Sequence, residues 1–407
     1  MTDRSEGDRE KKAGSVEEIY RKPGKSDRVQ ALLDFYSNLG PDDFASEAER
    51  LENLPFNERI LASVILFGKW AEVDPRAAMG FTDTMGFAGV FVRPTVLQGW
   101  ASNDPVNAAK YYTENSAQFA MMNMMGGGGG GRRGGMGAQG PGEIIAGEWA
   151  KQDPDAALAW ATGLKTNSGQ ALTAVISEVA KSDPKKAAVM AAGMSEESQG
   201  GAYGTIAREW GTRNFAEAEA WANGLPAAQR SAALASAIEG LAQSSPELAA
   251  AKIDQIKDVE ALRNAVPSVA KNYAREDPRG SMEWLDGIDN DGAKQDSMRE
   301  VMPIWAAKDS GAALEFIRKQ SSPAVKDSAA EAYVWSSRTS PPAEMVEVAG
   351  MIADEGTRGR TTGIVAARWM QEDKPAATEF INGSSVIPAD MKQRLLEGKG
   401  IWGGGRR

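Results

Sequence analysis

Neither histidine nor cysteine occurs anywhere in the 407 residues of the chain. That double absence removes imidazole acid–base catalysis, Ser-His and Cys-His nucleophiles, thiolate zinc sites and disulfides together. Any chemistry left to the chain would rest on carboxylates, lysine, tyrosine or serine. No phosphate-binding Walker sequence, nucleophile elbow or HExxH motif is present either. On these grounds no enzyme activity, no cofactor and no metal site is expected.

Long apolar runs are missing too. No window approaches the roughly eighteen uninterrupted apolar residues of a membrane-spanning helix, so no membrane insertion is expected. The first residues carry charges where a signal peptide would place its apolar stretch. The chain therefore reads as cytoplasmic by default, and as periplasmic or exported only if a signal or anchor has been trimmed. A concentrated basic patch is also lacking from the body of the chain, and the net charge is −10. Such a field repels polyanions, so a nucleic-acid partner is not expected.

What the chain does have is repetition. A large apolar anchor, Asp-Pro or a relic of it, small residues and a second large apolar residue recur ten times. The spacing is 30 to 34 residues, stretched once to 49. Three copies are strict: Trp70 with Asp74-Pro75, Trp100 with Asp104-Pro105, and Trp149 with Asp153-Pro154. Val179 and Tyr273 replace the tryptophan but keep Asp183-Pro184 and Asp277-Pro278, whereas Trp210, Leu241, Trp305, Trp335 and Trp369 keep an anchor and blur the Asp-Pro.

Each copy predicts two helices. Apolar or small residues stand three, four and seven positions before the anchor, as Ala366, Val365 and Thr362 do before Trp369. That is one face of a first helix ending near the anchor. The aspartates Asp74, Asp104, Asp153, Asp183 and Asp277 then suit an N-cap, with proline at the first position of a second helix. Small residues eight after the anchor (Ala78, Ala108, Ala157, Ala187, Ala218, Ala313, Ala377) let the two helices approach. A large residue eleven after it (Phe81, Tyr111, Trp160, Met190, Trp221, Trp284, Phe316, Phe380) fills the gap to the next copy. Glycine fourteen after it (Gly163, Gly193, Gly224, Gly287, Gly383) suits a left-handed C-cap. Buried packing thus accounts for every tryptophan except Trp402. Pro94 and Pro267, six before their anchors, predict late starts of the first helix, and Pro303 a bend or shortening.

The expected fold is all-α, an α-solenoid of about ten two-helix repeats with a period near 31 residues. Its span is 28–392, with residues 28–55 as a divergent capping hairpin. Residues 1–27 read as a disordered charged leader and 393–407 as a C-terminal tail. The long spacing is a flexible insertion at 120–142, rich in methionine, glycine and arginine. Its Met121, Met122, Met124, Met125, Arg132 and Arg133 form a possible partner loop. Tolerated low-complexity sequence, an adaptable methionine contact, a Gly-Arg touch on RNA and a thioether Cu(I) site are the readings open to it. Asp289-Asn290-Asp291-Gly292 lacks the ligand register of a calcium loop and reads as an inter-repeat turn.

The hairpin pattern resembles the tetratricopeptide, Sel1 and HEAT class of α-solenoids over residues 28–392. It is most similar to the WxxxDP repeats of uncharacterised bacterial proteins. Here proline opens the second helix, where tetratricopeptide units place it after that helix. The resemblance implies protein or peptide binding along a grooved surface. The expected function is accordingly a non-enzymatic interaction scaffold. Variable residues just before each anchor (Lys69, Glu148, Glu178, Glu209, Asn272, Arg368) are candidates for the binding face. A carboxylate-dependent hydrolase or lyase built on a helical toroid is the alternative, and it requires paired acids outside the capping positions. Binding through the 120–142 loop is a third.

Overall fold

The computed structural model describes residues 16–21, 24–54, 56–126, 139–337 and 340–399. Among them every regular element is a helix, and no strand is formed. Five pairs begin at Phe56–Val73 with Pro75–Thr84, Phe87–Asn103 with Pro105–Glu114, Pro141–Gln152 with Pro154–Thr162, Ser168–Ser182 with Pro184–Ala192, and Glu196–Arg213 with Phe215–Asn223. Five more follow: Ala227–Leu241 with Pro246–Lys252, Val259–Glu276 with Pro278–Asp286, Asp291–Lys308 with Ser310–Lys319, Pro323–Ser336 with Pro342–Gly350, and Glu355–Glu372 with Lys374–Gly383.

The chain divides into two compact units, residues 1–202 and 203–407. In the first, the first helices Phe56–Val73, Phe87–Asn103, Pro141–Gln152 and Ser168–Ser182 pack in succession, each with its second helix against it. The second unit repeats that order from Ala227–Leu241 through Val259–Glu276 and Asp291–Lys308 to Pro323–Ser336. Burial follows the sequence pattern. Ala78, Ala108, Ala157, Ala187, Ala218, Ala313 and Ala377 are all fully buried, which brings the helices of each pair close.

Two expectations are corrected by the helix boundaries, and of the bend or shortening expected at Pro303 the shortening is corrected too. Pro94 and Pro267 lie inside Phe87–Asn103 and Val259–Glu276, and Pro303 lies inside the 18-residue helix Asp291–Lys308 without shortening it. An interior proline costs about 3 kcal/mol through its missing N–H and ring clash. Fully buried neighbours such as Val96 and Leu97, Val266 and Val269, and Val301 and Met302 offset that cost.

The helix-ending glycines differ as well. Gly163, Gly193, Gly224 and Gly287 have φ between −75° and −84°, in the right-handed region. Gly383 belongs to the helix Lys374–Gly383. The first four close the helix by tightening it: each N–H reaches the carbonyl three residues back, at 3.0 to 3.1 Å.

The ends of the array also hold more structure than anticipated. Val16–Tyr20 is helical, with Val16 and Ile19 buried, and the next helix starts at Lys25. Residues 1–15 and 22–23 of the expected leader, and residues 400–407 with Trp402, lie outside the described residues. The expected tail therefore contributes the last turn of the helix Ala389–Leu396, in which Leu395 is buried.

Candidate functional site

The Asp-Pro aspartates are held by their own helices. Asp74, Asp104, Asp153, Asp183 and Asp277 accept a hydrogen bond from the backbone N–H three residues on, at 2.9 to 3.1 Å. Asp309 and Asp373 do the same at 2.9 and 3.1 Å, and Asn214 at 3.3 Å. At the five Asp-Pro positions the proline removes one donor from the same first turn, and the carboxylate faces the positive helix end. Asn290 accepts from Ala293 N–H at 2.9 Å, so the Asp289–Gly292 segment is the start of a helix.

The anchor ring packs on the large residue eleven positions later. Centroid distances are 5.4 Å for Trp70–Phe81, 5.1 Å for Trp100–Tyr111 and 5.9 Å for Trp149–Trp160. They are 5.8 Å for Trp210–Trp221, 5.6 Å for Trp305–Phe316 and 5.5 Å for Trp369–Phe380. All are tilted contacts within the favourable range for aromatic pairs. Rings also meet between pairs, as Tyr112 does with Trp160 at 6.3 Å and Phe44 with Trp70 at 5.8 Å. The Arg76 guanidinium lies 5.7 Å from the Trp100 centroid and 5.9 Å from that of Tyr111.

Trp335 departs from this scheme: its side chain is 43 % exposed, while Tyr333 is 1 % exposed. In the other nine pairs the N–H four residues after the anchor bonds the anchor carbonyl, and in this pair Ser337 N–H bonds Tyr333 O at 3.0 Å. Tyr333 is thus the anchor, and the second helix starts only at Pro342. One signal marks the slip in the sequence. Glu331 stands four before Trp335, where the pattern asks for an apolar or small residue, whereas Ala330 and Ala329 precede Tyr333 by three and four.

The variable positions before the anchors are tied into the array. Lys69 pairs with Glu72 at 2.6 Å and Glu178 with Lys181 at 3.0 Å. Glu148 accepts from Lys151 at 2.9 Å and from Gln98 at 3.1 Å. Asn272 donates to Ser268 O, and Arg368 donates to the carbonyls of Ser337 and Ser340, each at 2.9 Å. Glu209 is half-buried. These side chains are bracing the surface as well as presenting it.

The start of the insertion is ordered. Ala120–Gly126 is a helix with Met122 buried and Met121 43 % exposed, placed by the fully buried Phe119 just before it. Arg93 fixes this entry by donating to Thr82 Oγ1 and to Gln118 O, both at 2.9 Å. A cleft of about 590 Å³ opens beside it, lined by Gly86, Val90, Arg93, Gln118 and Met121 among others. The side chains of Met124 and Met125, and all of 127–138 with Arg132 and Arg133, lie outside the described residues. A second groove of about 890 Å³ runs over the starts of Pro141–Gln152, Ser168–Ser182 and Glu196–Arg213. Its walls are mainly hydroxyl, amide and small side chains, with Glu143 and Glu197 the two acids. Glu143 Oε2 accepts from Gly140 N–H at 3.0 Å, so it is a capping residue.

Perturbed titrations have structural causes. Burial, and then the Asp83 charge, pushes the Tyr111 phenol up, and burial followed by Glu247 does so for Tyr273. The Glu315 carboxyl is held below its usual range by the hydrogen bond and charge of Lys319. Among the described residues no group of three or more acids could hold a metal ion, and no helix is long and apolar enough to cross a membrane. Compared with protein-family models, with curated proteins and with solved structures, the chain matches none.

Proposed function

We propose that the chain is an α-solenoid of about ten hairpins acting as a non-enzymatic scaffold that binds a protein or peptide partner along its surface. One observation carries this reading. The repeated residues, namely caps, alanines and rings, are consumed in holding helix to helix, so only non-repeated surface side chains differ from pair to pair. A regular frame that presents changing side chains is suited to reading an extended partner. The acids do not favour the carboxylate-enzyme reading: those at the start of the second helices are spent as caps, and of Glu143 and Glu197 in the groove of about 890 Å³, Glu143 is a cap as well. The cleft beside Met121 favours a second reading, in which residues 121–142 supply the contact.

Affinity capture from native extract, read by mass spectrometry, separates the two. The intact chain and one lacking residues 121–142 are compared. A partner retained by both is the expected result and places recognition on the hairpins. A partner lost with the deletion supports the loop, and none with either form overturns the scaffold.

A further inference from the structure

The second residue of a second helix can reach the ring pair of the following hairpin. Arg76 shows this directly through its guanidinium over Trp100 and Tyr111. Glu247 and Arg279 occupy the same place, and their charges act on Tyr273 and Glu315 of the next pair. Where this residue is a long cation, the next anchor is sealed: Trp100, beyond Arg76, is 2 % exposed, and Trp305, beyond Arg279, is 6 % exposed. Where it is short, the ring stays partly open in two of three pairs, the exception being Tyr333, 1 % exposed beyond Gly311. Val106 precedes the half-buried Trp149, and Ala343 precedes the half-buried Trp369.

The Trp149 position is the one suited to a cation from outside. Val106 is itself 58 % exposed, and Trp149 and Trp160 present half-buried rings 5.9 Å apart at 41°. Tyr112 meets Trp160 edge-on at 6.3 Å. Among the described residues no cation of the chain lies over either ring. Lys110, one turn beyond Val106, pairs with Glu114 on its own helix at 3.9 Å. Of the acids flanking Trp149 in sequence, Glu148 is paired with Lys151 at 2.9 Å and Asp153 caps its own helix, so the attraction for a cation comes from the ring faces and the net charge of −10. Trp369, by contrast, follows Arg368.

We propose that Trp149 and Trp160, over Val106, form a docking site for an arginine side chain of a protein partner, in the place that Arg76 fills one hairpin earlier. A guanidinium stacks on aromatic faces and sheds water more readily than an ammonium, which favours arginine over lysine. The proposal rests on the scaffold reading and names the chemistry of its partner.

The test titrates the full chain with a nine-residue peptide alternating glycine and arginine, and with its citrulline and lysine counterparts. The readout is the indole N–H resonances of Trp149 and Trp160, assigned through Trp149→Phe and Trp160→Phe. The arginine peptide is expected to shift both, with citrulline and lysine at least tenfold weaker. Val106→Arg supplies the chain with its own guanidinium and is expected to weaken the arginine peptide at least tenfold, whereas Val106→Ala keeps it. Val106→Gln, long but neutral, controls for bulk and is expected to keep most of the binding. Undiminished binding by a folded Val106→Arg chain, equal binding of the citrulline or lysine peptide, or shifts confined to other tryptophans would overturn the site. Native-extract capture with Val106→Arg then separates the two claims. A partner still captured removes this site and leaves the scaffold standing, and no partner with either chain removes the scaffold while the peptide titration decides the site.

Discussion

A Cβ placed on Gly211 would lie 2.2 Å from the carbonyl oxygen of Ala237. The contact is reciprocal, since a Cβ on Gly240 would lie 2.1 Å from Arg208 O. Thr212 Oγ1 seals the crossing by donating to Arg208 O at 3.0 Å and sharing Gly240 O at 3.2 Å. Backbone stands against backbone here, so a methyl group forces the helices apart. Gly211→Ala and Gly240→Ala are each expected to destabilise the chain by about 2 to 3 kcal/mol, in the range of overpacked cores. Gly147, on a helix face with no atom within 4 Å of its would-be Cβ, is the control. Gly147→Ala should stabilise by about 0.5 to 1 kcal/mol through helix propensity. Urea unfolding reads all three, and equal effects would rule out the close crossing.

The ninth pair gives a sharper contrast. Tyr333→Ala is expected to cost about 3 to 5 kcal/mol, as loss of a buried aromatic does. Trp335→Ala, removing the larger but 43 % exposed ring, is expected to cost about 1 kcal/mol or less. If the tryptophan variant were the less stable in thermal unfolding, the anchor would belong to Trp335 after all.

That pair also shows where the sequence is legible and where it is not. Helix pairs, the small residues at the close approach and the ring eleven residues beyond the anchor could all be read, because each follows from a period and a local rule. The two-residue slip to Tyr333 could not be read from period alone, since positions 333 and 335 both fall near one repeat after Trp305. Pro94 and Pro267 misled because a local rule was weighed without the tertiary burial of Val96 and Val266. The Arg76 contact with Trp100 lay further out of reach: it joins successive pairs, and nothing in one repeat announces it.

Gly163 offers a test of the helix ends. Its φ is −77°, and an added Cβ would stand 3.5 Å from Trp160 O and 3.6 Å from Ala159 O, ordinary contact distances. Gly163→Ala should therefore be neutral or stabilising by up to about 1 kcal/mol, because it restricts the unfolded chain without straining the fold. A left-handed glycine would instead lose about 1 kcal/mol or more on the same change. Denaturant midpoints with an unchanged slope decide between them.

Asp354 links one cap to acid stability. It opens the helix Glu355–Glu372, where its Oδ1 accepts from Thr357 N–H at 2.7 Å. That backbone bond first, then the Thr357 hydroxyl, and then the Arg360 and Arg358 charges hold its carboxyl below the ordinary 3.8. A folded-state value below the unfolded one means that the unfolded chain takes up the proton more readily. The contribution is complete above the unfolded value of about 3.9 and is lost as the pH falls through the folded value. Asp354→Asn keeps an oxygen for Thr357 but has no charge to lose. The urea midpoint of the wild-type chain should exceed that of the variant at pH 7, and the gap should narrow between pH 4 and pH 3. A gap that stays constant across that window would show that the charge contributes nothing and that the cap acts through its oxygen alone.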